Sequence, residues 1–106
     1  DFSYGKYYLT KLNLSKCNDK AISTGEGSNL EVNDFIIKDS LIGIASKDSA
    51  SVNSSDGSIK KVDKCFSLYK KKQEFNGGLL KYKNLKCKDF NDFAFKDSYS
   101  KLIKVN

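Results

Sequence analysis

The sequence has no histidine, arginine, proline or methionine. Without histidine there is no Cys-His nucleophile pair, and without any Cys-x-x-Cys spacing a zinc centre is not expected. Without arginine, the planar fork that reads phosphates and base edges is missing, so the net charge of +6, carried by nineteen lysines, does not point to nucleic acid. It predicts a solvated lysine surface with weak, salt-sensitive attraction to polyanions. No apolar run approaches the ~20 residues of a membrane span, and no secretory signal is legible. The missing initiator methionine implies that Asp1 begins a processed chain or an excised piece of a longer one. Helical periodicity is lacking as well: no window sustains the i, i+3, i+4, i+7 apolar stripe of a surface helix.

What is present is a repeat. Ala21-Ile22-Ser23-Thr24-Gly25-Glu26 returns as Gly43-Ile44-Ala45-Ser46-Lys47-Asp48 at an offset of 22, and again as Cys65-Phe66-Ser67-Leu68-Tyr69-Lys70. A fourth copy, Phe93-Ala94-Phe95-Lys96-Asp97-Ser98-Tyr99-Ser100, keeps the KDSxS of Lys47 to Ser51. On that alignment the third copy is about five residues longer than the others, and Phe93 fills the column of Ile22, Ile44 and Phe66. Between these copies apolar residues recur at i, i+2, i+5, i+7. Leu30, Val32, Phe35 and Ile37 match Val52, Ser54, Gly57 and Ile59, then Leu80, Tyr82, Leu85 and Cys87, and, counting back, Tyr7, Leu9, Leu12 and Leu14.

Steps of two are strand alternation, and the step of three from Val32 to Phe35 is a corner. Short strands repeating every 20–25 residues predict an all-β solenoid, a parallel β-helix of about five coils with roughly 22 residues per coil. Two inward columns follow: Tyr7, Leu30, Val52, Leu80 and Leu14, Ile37, Ile59, Cys87. Stacked side chains of this kind stabilise a solenoid by ~1.5–3 kcal/mol each when fully buried. One domain is expected over residues 1–106, with an irregular lead-in over 1–6, coils over 7–100 and a terminal strand over 101–106. The lead-in is either an entering strand or a loose end, with Tyr4, Tyr7 and Tyr8 covering the first coil. In the terminal strand the inward pair is either Leu102 with Lys104 or Ile103 with Val105.

The string IGIASKDSASVN, followed by LYKKKQEFNGG from Leu68 to Gly78, resembles bacterial right-handed parallel β-helix repeat proteins of the pectate-lyase-like superfamily. The resemblance runs from about Tyr7 to Ser100 and implies a fold more than an activity. Proteins of this kind process or bind polysaccharide, or serve as structural parts of surface proteins. The clustered aspartate ligands and the catalytic lysine or arginine of the lyases have no counterpart here, so no catalytic residue is carried over.

Thr24-Gly25-Glu26-Gly27-Ser28 is not a phosphate loop, because neither Gly-Lys-Ser/Thr nor a following helix accompanies it. Glu26, Asp48 and Asp97 are expected at equivalent turns as solvated charges; intervening Lys47, Lys70 and Lys96 argue against calcium. Neither a metal nor a cofactor is expected. Cys65 and Cys87, in different columns and pointing into the core, and Cys17 are expected as three buried thiols.

The expanded turn Lys70 to Gly78 is the expected functional loop, since only an excursion from the coil builds a wall beside a flat sheet. Tyr69, Lys71, Lys72, Glu74 and Phe75 are the candidate ligand-binding residues, an aromatic platform with charges of both signs that suits a sugar ring. Phe75 alternatively folds back as an anchor, and Asn76-Gly77-Gly78 supplies positive-φ positions for the return. The expected function is a non-catalytic solenoid module of a bacterial surface or secreted protein, scaffolding and binding polysaccharide. The alternatives are a piece of a polysaccharide lyase or epimerase and a filament subunit. Uncapped coil ends predict self-association or adjoining coils of a longer chain.

Overall fold

A computed structural model describes residues 2–106. Seven strands form one wholly parallel sheet: β1 (Phe2–Ser3), β2 (Lys6–Ser15), β3 (Lys20–Gly25), β4 (Asn29–Lys47), β5 (Ser51–Tyr69), β6 (Leu79–Lys96) and β7 (Lys101–Lys104). Each pairs with the strand one coil away, β2 and β3 on β4, β4 on β5, β5 on β6 and β6 on β7, so the chain winds as a parallel β-solenoid of about five turns. Among the described residues there is no helix, and hence none long and apolar enough to cross a membrane.

The corners are set by residues in the left-handed region. Lys11, Asp34, Asp56 and Asn84 stack at one corner, and Lys16, Asp39, Lys61 and Asp89 at a second, all at positive φ. Tyr4, Glu26 and Asp48 occupy a third. Asp and Asn dominate because their short polar side chains tolerate this conformation better than other L-residues. The first corner is the step of three between Val32 and Phe35, with Asp34 at φ 57°. Three straight runs per coil result, over 29–33, 35–38 and 40–47 in β4.

Both inward columns form as their spacing requires. Tyr7, Leu30, Val52 and Leu80 are successive partners, and Leu102 of β7 continues the row; Leu14, Ile37, Ile59 and Cys87 make the other. Leu30, Ile37, Val52, Ile59 and Leu80 are buried in a single apolar core. Phe35 lies over Gly57, where any β-carbon would strike its ring. Leu102 packs on the core, while Ile103 and Val105 face outward. The repeat also begins earlier than expected: Phe2 and Ser3 pair with Thr24 and Gly25 at the coil offset, so the lead-in is an entering strand, with Asp1 outside the described residues. Tyr7 alone of the three tyrosines covers the first coil; Tyr4 and Tyr8 are exposed.

Two expectations are corrected. The third copy is six residues longer, not five, because β5 and β6 pair at an offset of 28 where β4 and β5 pair at 22. Phe66 therefore stands beside Ala94, and Phe93 falls one position earlier. The KDSxS match is a likeness between turns, where the chain has left the ladder; the inward residues fix the register. Phe93 still reaches the core as an edge-on neighbour of Phe66, ring centroids 5.5 Å apart, beside Tyr82 and Phe90.

The cysteines are the second correction. Cys65 and Cys87 form a disulfide, with Cα atoms 6.5 Å apart, and only Cys17 is a free thiol. They lie on different runs of the coil, yet the interior is so thin that the runs touch. One coil below, Gly43 and Ile59 occupy the equivalent positions, and a β-carbon on Gly43 would sit 3.0 Å from the Ile59 side chain. The disulfide thus replaces a glycine–isoleucine contact that already spans the core.

Candidate functional site

The expanded turn is pinned to the third corner by carboxylates. Asp48, 1% exposed, accepts hydrogen bonds at Oδ1 from the backbone N–H groups of Lys71 (2.8 Å) and Lys72 (2.9 Å). Asp97 Oδ2 accepts from the N–H of Lys70 at 2.8 Å, while its Oδ1 accepts from the Ser100 hydroxyl (2.7 Å) and the N–H of Tyr99 (3.1 Å). Three consecutive N–H groups that have left the ladder are thereby satisfied, as a partly buried backbone requires. Burial alone would raise the Asp97 carboxyl, but the hydrogen bonds from Ser100, Lys70 and Tyr99 hold it below its ordinary value.

Glu26, one coil before Asp48, takes the Lys72 ammonium at 2.8 Å. That bond lowers the Glu26 carboxyl and raises the Lys72 ammonium. The expectation of three equivalent, solvated turn carboxylates is therefore corrected. Glu26 and Asp48 are equivalent, but Asp97 occupies the place of Lys47: the N–H of Ser100 bonds to the Asp97 carbonyl as that of Ala50 does to the Lys47 carbonyl. Asp48 is buried because the longer turn covers it.

Of the candidate ligand residues, Tyr69 ends β5 opposite Lys47 and is half-buried, and Phe75 is half-buried in a tight turn whose N–H reaches the Lys72 carbonyl at 3.2 Å. Their rings do not pair with one another; the aromatic pairs of the described residues lie elsewhere. Lys71 and Glu74 are exposed, and Lys72 is exposed but held by Glu26. The return glycines serve a different purpose from the one expected. Neither Gly77 nor Gly78 has positive φ. Side chains there would strike the Tyr99 carbonyl and the Ser100 hydroxyl at Gly77 and the Ser46 carbonyl at Gly78, so glycine is needed for close approach.

A second surface was not singled out from the sequence. The first run of each coil turns Tyr8, Glu31, Asn53 and Lys81 outward as successive partners. Tyr8, 63% exposed, stands in a shallow groove of about 520 Å³ with Lys6, Asn29, Glu31 and Asn53. The signal was the alternation itself, since residues between two inward positions must share an outward row. The ring offers an apolar face, and around it stand two amides, a carboxylate and an ammonium that donate and accept hydrogen bonds.

The chain matches no family model, no curated protein and no solved structure.

Proposed function

We propose that this chain is a non-catalytic solenoid module of a bacterial surface or secreted protein, a scaffold that binds polysaccharide along its first outward face. The reading keeps the pectate-lyase-like resemblance as a kinship of architecture and carries over no lyase chemistry. The observation that carries it is the exposed Tyr8 ring standing among Asn29, Glu31, Asn53 and Lys6 on a face whose rows repeat with every coil. An aromatic face stacks on the apolar side of a sugar ring, and amides and carboxylates at its edge take the hydroxyls. The Cys65–Cys87 disulfide supports an oxidising compartment. Tyr69, Lys71, Glu74 and Phe75 of the expanded turn form a secondary ligand surface, with Lys72 withdrawn into its pair with Glu26.

The test is titration of the protein with neutral and uronic-acid oligosaccharides by calorimetry. Binding that falls at least tenfold in Tyr8→Ala, with the circular dichroism spectrum unchanged, supports the reading. No binding to any of them, or the release of unsaturated products absorbing in the ultraviolet, overturns it.

A further inference from the structure

The return from the expanded turn leaves one backbone group unused. The Asn76 N–H donates to the Ser49 hydroxyl at 2.8 Å, and the Ser49 N–H reaches the Asn76 carbonyl at 2.9 Å and the Gly77 carbonyl at 3.2 Å. The Gly78 N–H donates to the Ser100 hydroxyl at 3.0 Å, and the Gly78 carbonyl accepts from the Lys101 N–H at 3.0 Å. Between these grips the Gly77 N–H has no acceptor among the described residues. Most backbone donors in a folded chain are engaged, and an engaged donor holds its proton; this one is open to base. The exposed Asn76 side chain, whose amide carbon lies within one five-membered ring of the Gly77 nitrogen, has no hydrogen-bond partner either.

Asn76-Gly77 is the one Asn-Gly pair in the sequence. Glycine carries no side chain to obstruct ring closure at its nitrogen. Asp56-Gly57 offers the same closure on paper, and the fold denies it. Gly57 lies in the ladder between Phe35 and Leu85, the Phe35 ring covers it, and the Asp56 carboxylate is engaged by the Asn84 amide at 2.6 Å. Asn53 precedes Ser54, which is likewise paired on both sides and buried.

We propose that Asn76 is a self-modification site, where the folded chain converts asparagine to aspartate and isoaspartate without an enzyme. The Gly77 nitrogen gives up its proton to base and attacks the Asn76 side-chain carbonyl carbon. A carbon–nitrogen bond forms there, the bond to the side-chain nitrogen breaks, and that nitrogen leaves as ammonia with the proton returned to it. Water then opens the cyclic imide. Addition at the side-chain carbonyl restores the chain as aspartate; addition at the main-chain carbonyl leaves the chain running through the side chain as isoaspartate. Water is taken up and ammonia released, with no oxidant or reductant.

Isoaspartate adds one carbon to the backbone where there is no room for it. Gly77 already lies against the Tyr99 carbonyl and the Ser100 hydroxyl, and Gly78 against the Ser46 carbonyl. The lengthened return cannot keep the Ser49 grip on one side and the Ser100 grip on the other. The expanded turn therefore loosens with age, irreversibly, while the coils stay wound.

The experiment incubates the 106-residue chain under native conditions at mildly alkaline pH. Ammonia release, intact mass and a peptide map that separates aspartyl from isoaspartyl chains are followed with time. The expected result is the mass gain of an amide turned acid, confined to Asn76, with both isomers there and a rate that rises with pH. Asn76→Gln, whose longer side chain no longer closes a five-membered ring, should slow the conversion at least tenfold with the circular dichroism spectrum unchanged. In the isoaspartyl fraction amide exchange at Gly78 should be at least tenfold faster than in the parent. Asn76→Asp, which has the new charge without the added carbon, should keep the parent's protection. No conversion at Asn76, conversion there only after unfolding in urea, or equal conversion at Asn53 or Asp56 would overturn the proposal. An isoaspartyl chain as protected at Gly78 as the parent would overturn the loosening.

Discussion

A carboxylate removed from water costs stability unless hydrogen bonds replace its hydration. Asp48 receives two of them, from Lys71 and Lys72, while its Oδ2 has no hydrogen-bond partner in the protein. It also sits at φ 51°, where a β-carbon is disfavoured. The two contributions separate by substitution. Asp48→Asn keeps an acceptor at Oδ1 and tolerates the backbone, so it should cost little. Asp48→Gly relieves the backbone but releases the turn, at about 2–3 kcal/mol for the lost charge-assisted bonds. Asp48→Ala loses the bonds and keeps the strain, and should be the least stable of the three. Urea denaturation ranks them, and an Asp48→Gly as stable as the parent would show that the clamp contributes nothing.

At the scale of the strand, the inward residues were legible because their spacing repeats. Once Leu30, Val32, Phe35 and Ile37 are set beside Val52, Ser54, Gly57 and Ile59, the corner and the register of β4 on β5 follow. The last coil was misplaced by one residue because KDSxS is a turn string, and turns lie outside the ladder that enforces register. The disulfide was hidden for a related reason: columns describe neighbours along the solenoid axis, whereas Cys65 and Cys87 meet across the interior. The legible clue was Gly43, the smallest residue in the Cys65 column, facing Ile59. The Tyr8 groove was missed because outward residues carry no apolar periodicity. Cys65 and Cys87 are 22 residues apart, so the crosslink should contribute about 3 kcal/mol through the entropy of the unfolded chain. C65A/C87A should lower the stability measured by guanidinium unfolding by about that amount, and reduction of the parent should reproduce the loss. No change on reduction would mean the bond is not formed in solution.

The whole molecule carries its charge unevenly, and its stability should depend on pH accordingly. Asp63, through Asn91 and Lys64, and Glu26, through Lys72, are held below their ordinary values, as is Asp97. Each such carboxylate stabilises fully above its unfolded value and loses that contribution as pH falls through the folded one. Lys20, Lys64 and Lys72 are raised by Asp19, Asp63 and Glu26; they stabilise fully below their unfolded value and lose this as pH rises through the folded one. A plateau from roughly pH 5 to pH 10 should result, shallow at both ends because these pairs are exposed. The acid side should be steeper, since protonation adds to a net charge that is already +6 and raises self-repulsion. Unfolding midpoints across the pH range check this, and a midpoint that rises below pH 4 would contradict the placement of the carboxylates.

The six-residue excess at the third corner leaves the stack undisturbed. Ser51 still meets Leu79 and Leu68 still meets Lys96, as if the intervening residues had not been added. Length at that corner is uncoupled from the winding, because the chain is gripped on both sides of the excursion and Gln73 and Glu74 hang free between the grips. The corner behaves as an expansion joint: a foreign cassette spliced between Gln73 and Glu74 would be displayed at the side of the column, and the coils above and below would wind on in the same phase.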